Sequence, residues 1–217
     1  MTSFFSFLIN NKEMVWKALG EHVLISLVAV LLGLAVALPS GILLTRNKKA
    51  ASIVLGIFGV VNTIPSLVLL GVAMIVLGLG FVPAVAVLFL YSLLPIMRNT
   101  YTGINSINPQ YIKTALGMGM NRRQLLLNVQ LPLALPAIIT GIRLSGIYII
   151  SWATLSAFIG AGGLGDLIWS GLQAYNYDMI FAGALPATLL ALLVSFLLTA
   201  AENKAIQFTQ GRRGVKT

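Results

Sequence analysis

Cysteine is absent from the 217 residues, which excludes disulfide frameworks, thiol nucleophiles and thiolate metal sites. His22 is the single histidine, so no histidine-based metal centre or Ser/His/Asp triad can be assembled, and neither catalytic nor metal-ligating residues are expected. Charge is scarce as well: 9% of residues are Asp, Glu, Lys or Arg, whereas an ordinary soluble domain carries about 25%. In their place 58% of the chain is hydrophobic and the mean hydropathy is +0.96. A membrane-spanning helix needs about 20 mostly apolar residues, so this length holds at most about half a dozen spans with short connections. One all-α integral membrane domain is expected, and a soluble nucleic-acid binder is excluded.

The strongest apolar stretches lie near 22–44, 53–80, 82–97, 136–159 and 179–201 and predict five transmembrane helices. The net charge of +9 then reads as an orientation signal. Arg46, Lys48 and Lys49 follow the first span; Arg98, Lys113, Arg122, Arg123 and Arg143 fall around the connection after the third; Lys204, Arg212, Arg213 and Lys216 follow the fifth. These twelve share one face, opposite Lys12 and Lys17, an uncharged turn near Gly78–Pro83, and a loop carrying Asp166 and Asp178. Short cytoplasmic loops accumulate Lys and Arg, so the N-terminus is placed outside and the C-terminus in the cytoplasm, with 202–217 as a basic tail that also suits anionic lipid.

Residues 1–20 lack the basic start of a cleavable signal, and no cleavage is expected. Phe5, Leu8, Ile9, Val15, Trp16 and Leu19 recur at near-helical spacing, which fits either an interfacial amphipathic helix or an extension of the first span. The second span is the most interrupted, with Asn62, Thr63, Pro65 and Ser66 grouped near its middle. Broken helices are tolerated in lipid only where protein or a water-filled cavity satisfies the backbone. That group is therefore either a kinked, polar-lined part of a pathway or a packing kink whose freed carbonyls are met by Thr63 and Ser66.

No ionisable residue falls mid-span by these boundaries; Glu21, His22 and Arg143 all lie near span ends. Proton- or sodium-coupled carriers generally need intramembrane ionisable groups, so the chain is not expected to hold its own energy source, and His22 reads as an interfacial residue at a helix start. The connection 98–135 is too long for a turn and too polar to span. Its alternating apolar residues, among them Leu116, Met118 and Met120, predict a short amphipathic helix with a turn at Gly117–Gly119 and adaptable knobs suited to a partner's groove.

In this connection the sequence resembles the binding-protein-dependent ABC importer permeases. Their cytoplasmic signature runs Glu-Ala-Ala, three residues, Gly, nine residues, Ile, one residue, Leu-Pro. Here Lys113, Thr114, Ala115, then Leu116-Gly117-Met118, Gly119, nine residues, Val129, Gln130, Leu131 and Pro132 keep that spacing, with Lys113 in place of Glu and Thr114 in place of Ala. The resemblance implies the small methionine-importer-like fold, and a coupling helix between the third and fourth spans that docks in a cytoplasmic ATPase. Gly119 would supply a conformation that a Cβ resists, and Pro132 would end the coupling segment.

Longer strings narrow the resemblance. Leu94–Ile104 (LPIMRNTYTGI) and Ser151–Asp166 (SWATLSAFIGAGGLGD) are similar to the osmoprotectant importers, which take up glycine betaine, carnitine, choline or related quaternary ammonium solutes. What this implies is a multi-pass subunit of the bacterial cytoplasmic membrane, itself not an enzyme and without a cofactor, since ATP and Mg bind the partner. Its partners would be two ATP-binding subunits, a second permease copy or a homologous permease, and an extracytoplasmic substrate-binding protein. The Gly160–Asp166 run lacks the strand and Lys of a phosphate loop and reads as a tight outer turn.

A quaternary ammonium nitrogen has no hydrogen-bond donor, so aromatic faces are the natural contact. Tyr91, Tyr148 and Trp152 are the pathway candidates, with Asn62 and Ser66 for a carboxylate or hydroxyl. Two alternatives remain at this point: a permease for amino acids or other small solutes, and, from another class, an ion-coupled carrier or channel.

Overall fold

The structure, a computed structural model, describes residues 2–211, with side chains over 4–208. The described residues form helices and turns only. In chain order they are α1 (Thr2–Asn10), α2 (Lys12–Leu44), α3 (Lys48–Thr63), α4 (Ser66–Leu77), α5 (Phe81–Asn105), α6 (Pro109–Gly117), α7 (Arg122–Leu125), α8 (Leu131–Ala153), α9 (Leu164–Gln173) and α10 (Tyr177–Gly211). A π-helical turn, Leu126–Gln130, joins α7 to α8, and a 3-10 turn, Thr154–Ile159, leads from α8 towards α9. Four helical runs are long and apolar enough to cross a bilayer, and α3 with α4 adds a fifth if the bent pair is one span.

α5 is the hub. Its residues Leu88, Tyr91, Ile96 and Met97 are buried against α2, α8, α3 and α4 in continuous apolar clusters. Small residues let the backbones approach, as is usual where lipid tails compete with side chains for apolar contact. A Cβ on Gly33 of α2 would collide with the Ser92 hydroxyl of α5, and one on Gly141 of α8 would lie 2.9 Å from the Pro95 carbonyl. Large side chains such as Leu27 and Leu31 of α2 and Leu189, Leu193 and Phe196 of α10 point outward, as a bilayer demands.

Several boundaries differ from those expected. The helix that carries the first apolar stretch starts at Lys12 rather than 22, and α1 forms a separate short helix before it. The Asn11 side chain bonds the Phe7 carbonyl at the junction. The third span does not stop at 97 but runs to Asn105, because its polar end residues Thr102 and Asn105 bond back onto the carbonyls one turn earlier. The last helix continues through Lys204, where a tail was expected; Arg212, Arg213 and Lys216 lie outside the described residues.

The second span is not one rod. α3 and α4 meet at 93° across Ile64 and Pro65, since proline lacks an N–H and forces the preceding residue into an extended conformation, here φ −69° and ψ 131°. The freed Ile64 carbonyl accepts the Tyr91 hydroxyl, whereas Thr63 bonds its own helix at Val60. The neighbouring span thus satisfies the Ile64 carbonyl, while Thr63 meets the Val60 carbonyl, whose usual N–H donor, that of Ile64, is bonded to Val61 instead.

At the α9 end, Gly160, Gly162 and Gly163 take φ of 68°, 82° and 90° and form the tight turn expected there. The Gly163 N–H donates to Glu21 Oε2 at 3.0 Å, and a Cβ on Gly162 or Gly163 would press on Glu21 or His22. His22 does not stand at a helix start: it lies ten residues inside α2 and is fully buried, with Nε2 3.1 Å from the Ile150 carbonyl. Burial and the nearby Glu21 carboxylate raise the Asp166 pKa above its ordinary value. A raised carboxyl pKa adds stability in the acid form that is lost as pH rises through the folded value. Asp166→Asn is therefore expected to give a small gain in melting temperature at neutral pH that shrinks as pH falls into the carboxylate range.

Candidate functional site

The residues singled out in the sequence fall into two groups at different places in the bundle. The first is aromatic. On α8, Tyr148 and Trp152 are one turn apart and stack, with ring centroids 5.6 Å apart and planes 28° from parallel. Trp152 also meets Tyr91 of α5, at 4.6 Å and 57°. Tyr91 is 1% exposed and its hydroxyl is committed to the Ile64 carbonyl, so it backs the pair and pins it to the broken span. Tyr148 is 43% exposed and Trp152 half-buried, which leaves ring surface open for a cation.

Asn62 and Ser66 flank the break that Tyr91 secures. Asn62 donates its side-chain N–H to the Phe58 carbonyl at 3.1 Å, and Ser66 is the half-buried first residue of α4. They belong to the same structural feature as the aromatics through Ile64, not through a direct bond to any ring.

The second group is the connection between α5 and α8. The Asn108 side chain caps α6, and Pro109 suits its first turn. The helix ends in a Schellman motif: the Gly119 N–H donates to the Leu116 carbonyl at 3.0 Å, and the Met120 N–H reaches the Ala115 carbonyl at 3.2 Å. This closure needs a left-handed residue, and Gly119 supplies it with φ 83°. Ala115 is buried, whereas Lys113, Thr114, Leu116 and Met118 are exposed and Met120 is half-buried. Leu116 and Met118 are 50% and 66% exposed.

α7 then opens with a capping box in which Asn121 and Gln124 exchange side-chain and backbone hydrogen bonds at 2.9 Å. Pro132 does not terminate the segment. It is the second residue of α8, and the helix passes through it by widening into the π turn, with the Leu131 N–H bonded to the Leu126 carbonyl. The wider turn removes the clash between a proline ring and the carbonyl four residues earlier. Leu131 packs into the apolar cluster around Ile104 and Ile138, so the loop is rigidly joined to the spans.

One polar arrangement escaped the span-by-span reading. Arg143 lies in the middle of α8, not near a span end, and its Nη2 is 3.3 Å from Glu202 Oε2 of α10. Arg143 Nη1 also donates to Thr199 at 2.8 Å, and the Thr140 hydroxyl donates to Glu202 Oε1 at 2.8 Å. The signal was present as two matching patterns, Thr140-x-x-Arg143 and Thr199-x-x-Glu202, with opposite charges in two apolar runs.

Residues 22–205 match the family model for the binding-protein-dependent transport system inner membrane component. The chain is 47% identical over 207 residues, 95% of its length and 94% of the relative's, to the glycine betaine/carnitine/choline transport system permease protein OpuCB of Bacillus subtilis (strain 168). It is 51% identical over 178 residues, 82% of each chain, to the carnitine transport permease protein OpuCB of Listeria monocytogenes. Among solved structures, the MetNI methionine ABC transporter in an inward-facing conformation matches with TM-score 0.78 at 22% identity, covering 89% of this chain and 97% of that one.

Proposed function

The chain belongs to the family of binding-protein-dependent transport system inner membrane components, and from that membership we propose that it is the permease of an ATP-driven importer of osmoprotectants bearing a quaternary ammonium group, such as glycine betaine, carnitine or choline. The observation that carries the substrate class is the identity of about half of all residues to permeases named for these solutes, along nearly the whole chain. The stacked Tyr148–Trp152 pair supports it chemically, since ring faces attract a cation that offers no N–H.

As a multi-pass transport subunit it leaves ATP hydrolysis to partner subunits. The α6–α7 connection is proposed as the coupling element, with Leu116, Met118 and Met120 seated in the cleft of a cytoplasmic ATPase and Lys113 and Thr114 on its exposed flank. Leu131 and Pro132 carry the push into α8 through the π turn. A single chain encloses no pathway, so a second copy or a similar permease completes it, with two ATPase copies beneath and a substrate-binding protein at the α9 end. Nucleotide closure biases the permease pair between two states, which is alternating access in physical terms.

Uptake tests the substrate reading. Cells expressing this chain with its companion subunits should accumulate glycine betaine, carnitine or choline, most strongly at high osmolarity and only while ATP is available. Uptake that survives ATP depletion but follows the membrane potential would point to an ion-coupled carrier, and competition only by amino acids would move the chain to another importer.

The orientation follows from the distribution of basic residues and places the α9 end outside and the α6–α7 end in the cytoplasm. The natural absence of cysteine makes it directly measurable. Cysteine placed at Asp166 should react with an impermeant thiol reagent in intact cells, and cysteine placed at Lys113 only after the membrane is opened; the reverse pattern refutes the orientation.

A further inference from the structure

A second aromatic pair lies beyond the first. Phe158 of the 3-10 turn and Trp169 of α9 have ring centroids 4.2 Å apart with planes at 52°, and they are 43% and 39% exposed. Their spacing connects them to the stacked pair. Leu155 and Phe158 are one turn apart within the 3-10 turn, and Trp152 stands one residue before the end of α8, one turn beyond Tyr148. The rise from Trp152 to Phe158 is about 10 Å.

The placement of this pair does not depend on its rings. α9 lies against the 3-10 turn because Gly165 brings its backbone onto the Thr154 carbonyl, where a Cβ would collide. The turn is closed by backbone bonds from Gly160 to Ala157 and from Ala161 to Ser156, at 2.9 and 3.2 Å, around the left-handed Gly160. Backbone contact therefore fixes where residues 158 and 169 meet, and aliphatic side chains would fill the same space. Two half-exposed aromatics there offer something aliphatics lack, the negative face of a π system. The carboxylate of Asp166, one turn before Trp169 on α9, and that of Glu21 beside the loop add negative charge at the same end.

We propose that Phe158 and Trp169 form an outer aromatic station that holds the methylated ammonium group of an incoming solute before it passes to the Tyr148–Trp152 pair. The proposal rests on the transport reading above. A cation released at the α9 end meets the tilted pair first, and a step of about 10 Å carries it to the stacked pair. Splitting the route into two weak stations suits a permease, which must accept the solute without retaining it.

The test uses the complete importer in cells and grades the electronics of one ring without changing its shape. Tryptophan at 169 is replaced, by nonsense suppression, with mono-, di- and trifluorotryptophan, each of which withdraws more density from the ring face. Initial uptake of radiolabelled choline and glycine betaine is measured below saturation. Stepwise decline with fluorine number is expected, reaching about 2- to 30-fold when the face is fully depleted, with Trp169→Leu and Phe158→Leu reduced to a similar degree and surface expression unchanged. A flat fluorination series beside normal uptake by the unsubstituted protein overturns the station, and a loss in Trp169→Leu alone would then assign the ring to packing or to binding-protein docking. Failure of the unsubstituted protein to take up either solute would instead overturn the transport reading.

Discussion

Replacing Gly119 by valine is expected to reduce solute uptake and substrate-stimulated ATP hydrolysis to near background while leaving membrane insertion intact. The reason is conformational rather than steric. Nothing lies within 4 Å of a Cβ built at this position, yet φ is 83° and both closing bonds of the Schellman motif depend on it. Left-handed backbone costs an ordinary L-residue about 1–2 kcal/mol, and a β-branched side chain is a still poorer fit. The end of α6 would open, and Leu116 and Met118 would lose their fixed relation to α7. Gly119→Asn provides the control, because asparagine visits this region more readily; it should retain most of the activity. A valine variant with normal uptake and stimulated hydrolysis would remove the loop from the transmission path. Lys113→Glu, which restores the residue usual in the signature, should leave transport unimpaired.

What the sequence disclosed followed from how local each feature is. The left-handed glycine, the α6 helix and the break at Pro65 are written in a few adjacent residues, and each is found where those residues stand. Ends of spans were less legible, because hydropathy marks where apolar residues stop and not where the helix stops. α5 continues past Met97 on side chains that bond backwards, and α10 continues past Ala201 because Glu202 has a partner on α8. The aromatic cluster was legible as a list of residue types and illegible as an arrangement. Tyr91, Tyr148 and Trp152 meet, but the buried Tyr91 serves the broken backbone of its neighbour, a role that depends on a contact 27 residues away. The second pair joins Phe158 to a helix beginning after a glycine turn, which no helical periodicity connects.

Arg143→Met and Glu202→Met are each expected to lower the yield of monodisperse, detergent-solubilised protein severely, whereas the double substitution should recover most of it. The pair is partly buried between α8 and α10, with side chains 26% and 18% exposed, and Thr140 and Thr199 each add one hydrogen bond to it. Removing one member of a buried ion pair leaves an uncompensated charge at a cost of about 3–5 kcal/mol, while replacing both by apolar residues of similar volume is often neutral. Thermal unfolding of the two singles and the double forms a cycle that isolates the coupling between them. The same variants, set beside the unsubstituted chain, address the energy source. An ion-coupled carrier relying on these groups would lose transport in the double variant, since it would hold no exchangeable charge there. An ATP-driven permease needs the pair only to hold α10 against α8, so a folded double variant should still take up solute at a rate close to that of the unsubstituted chain.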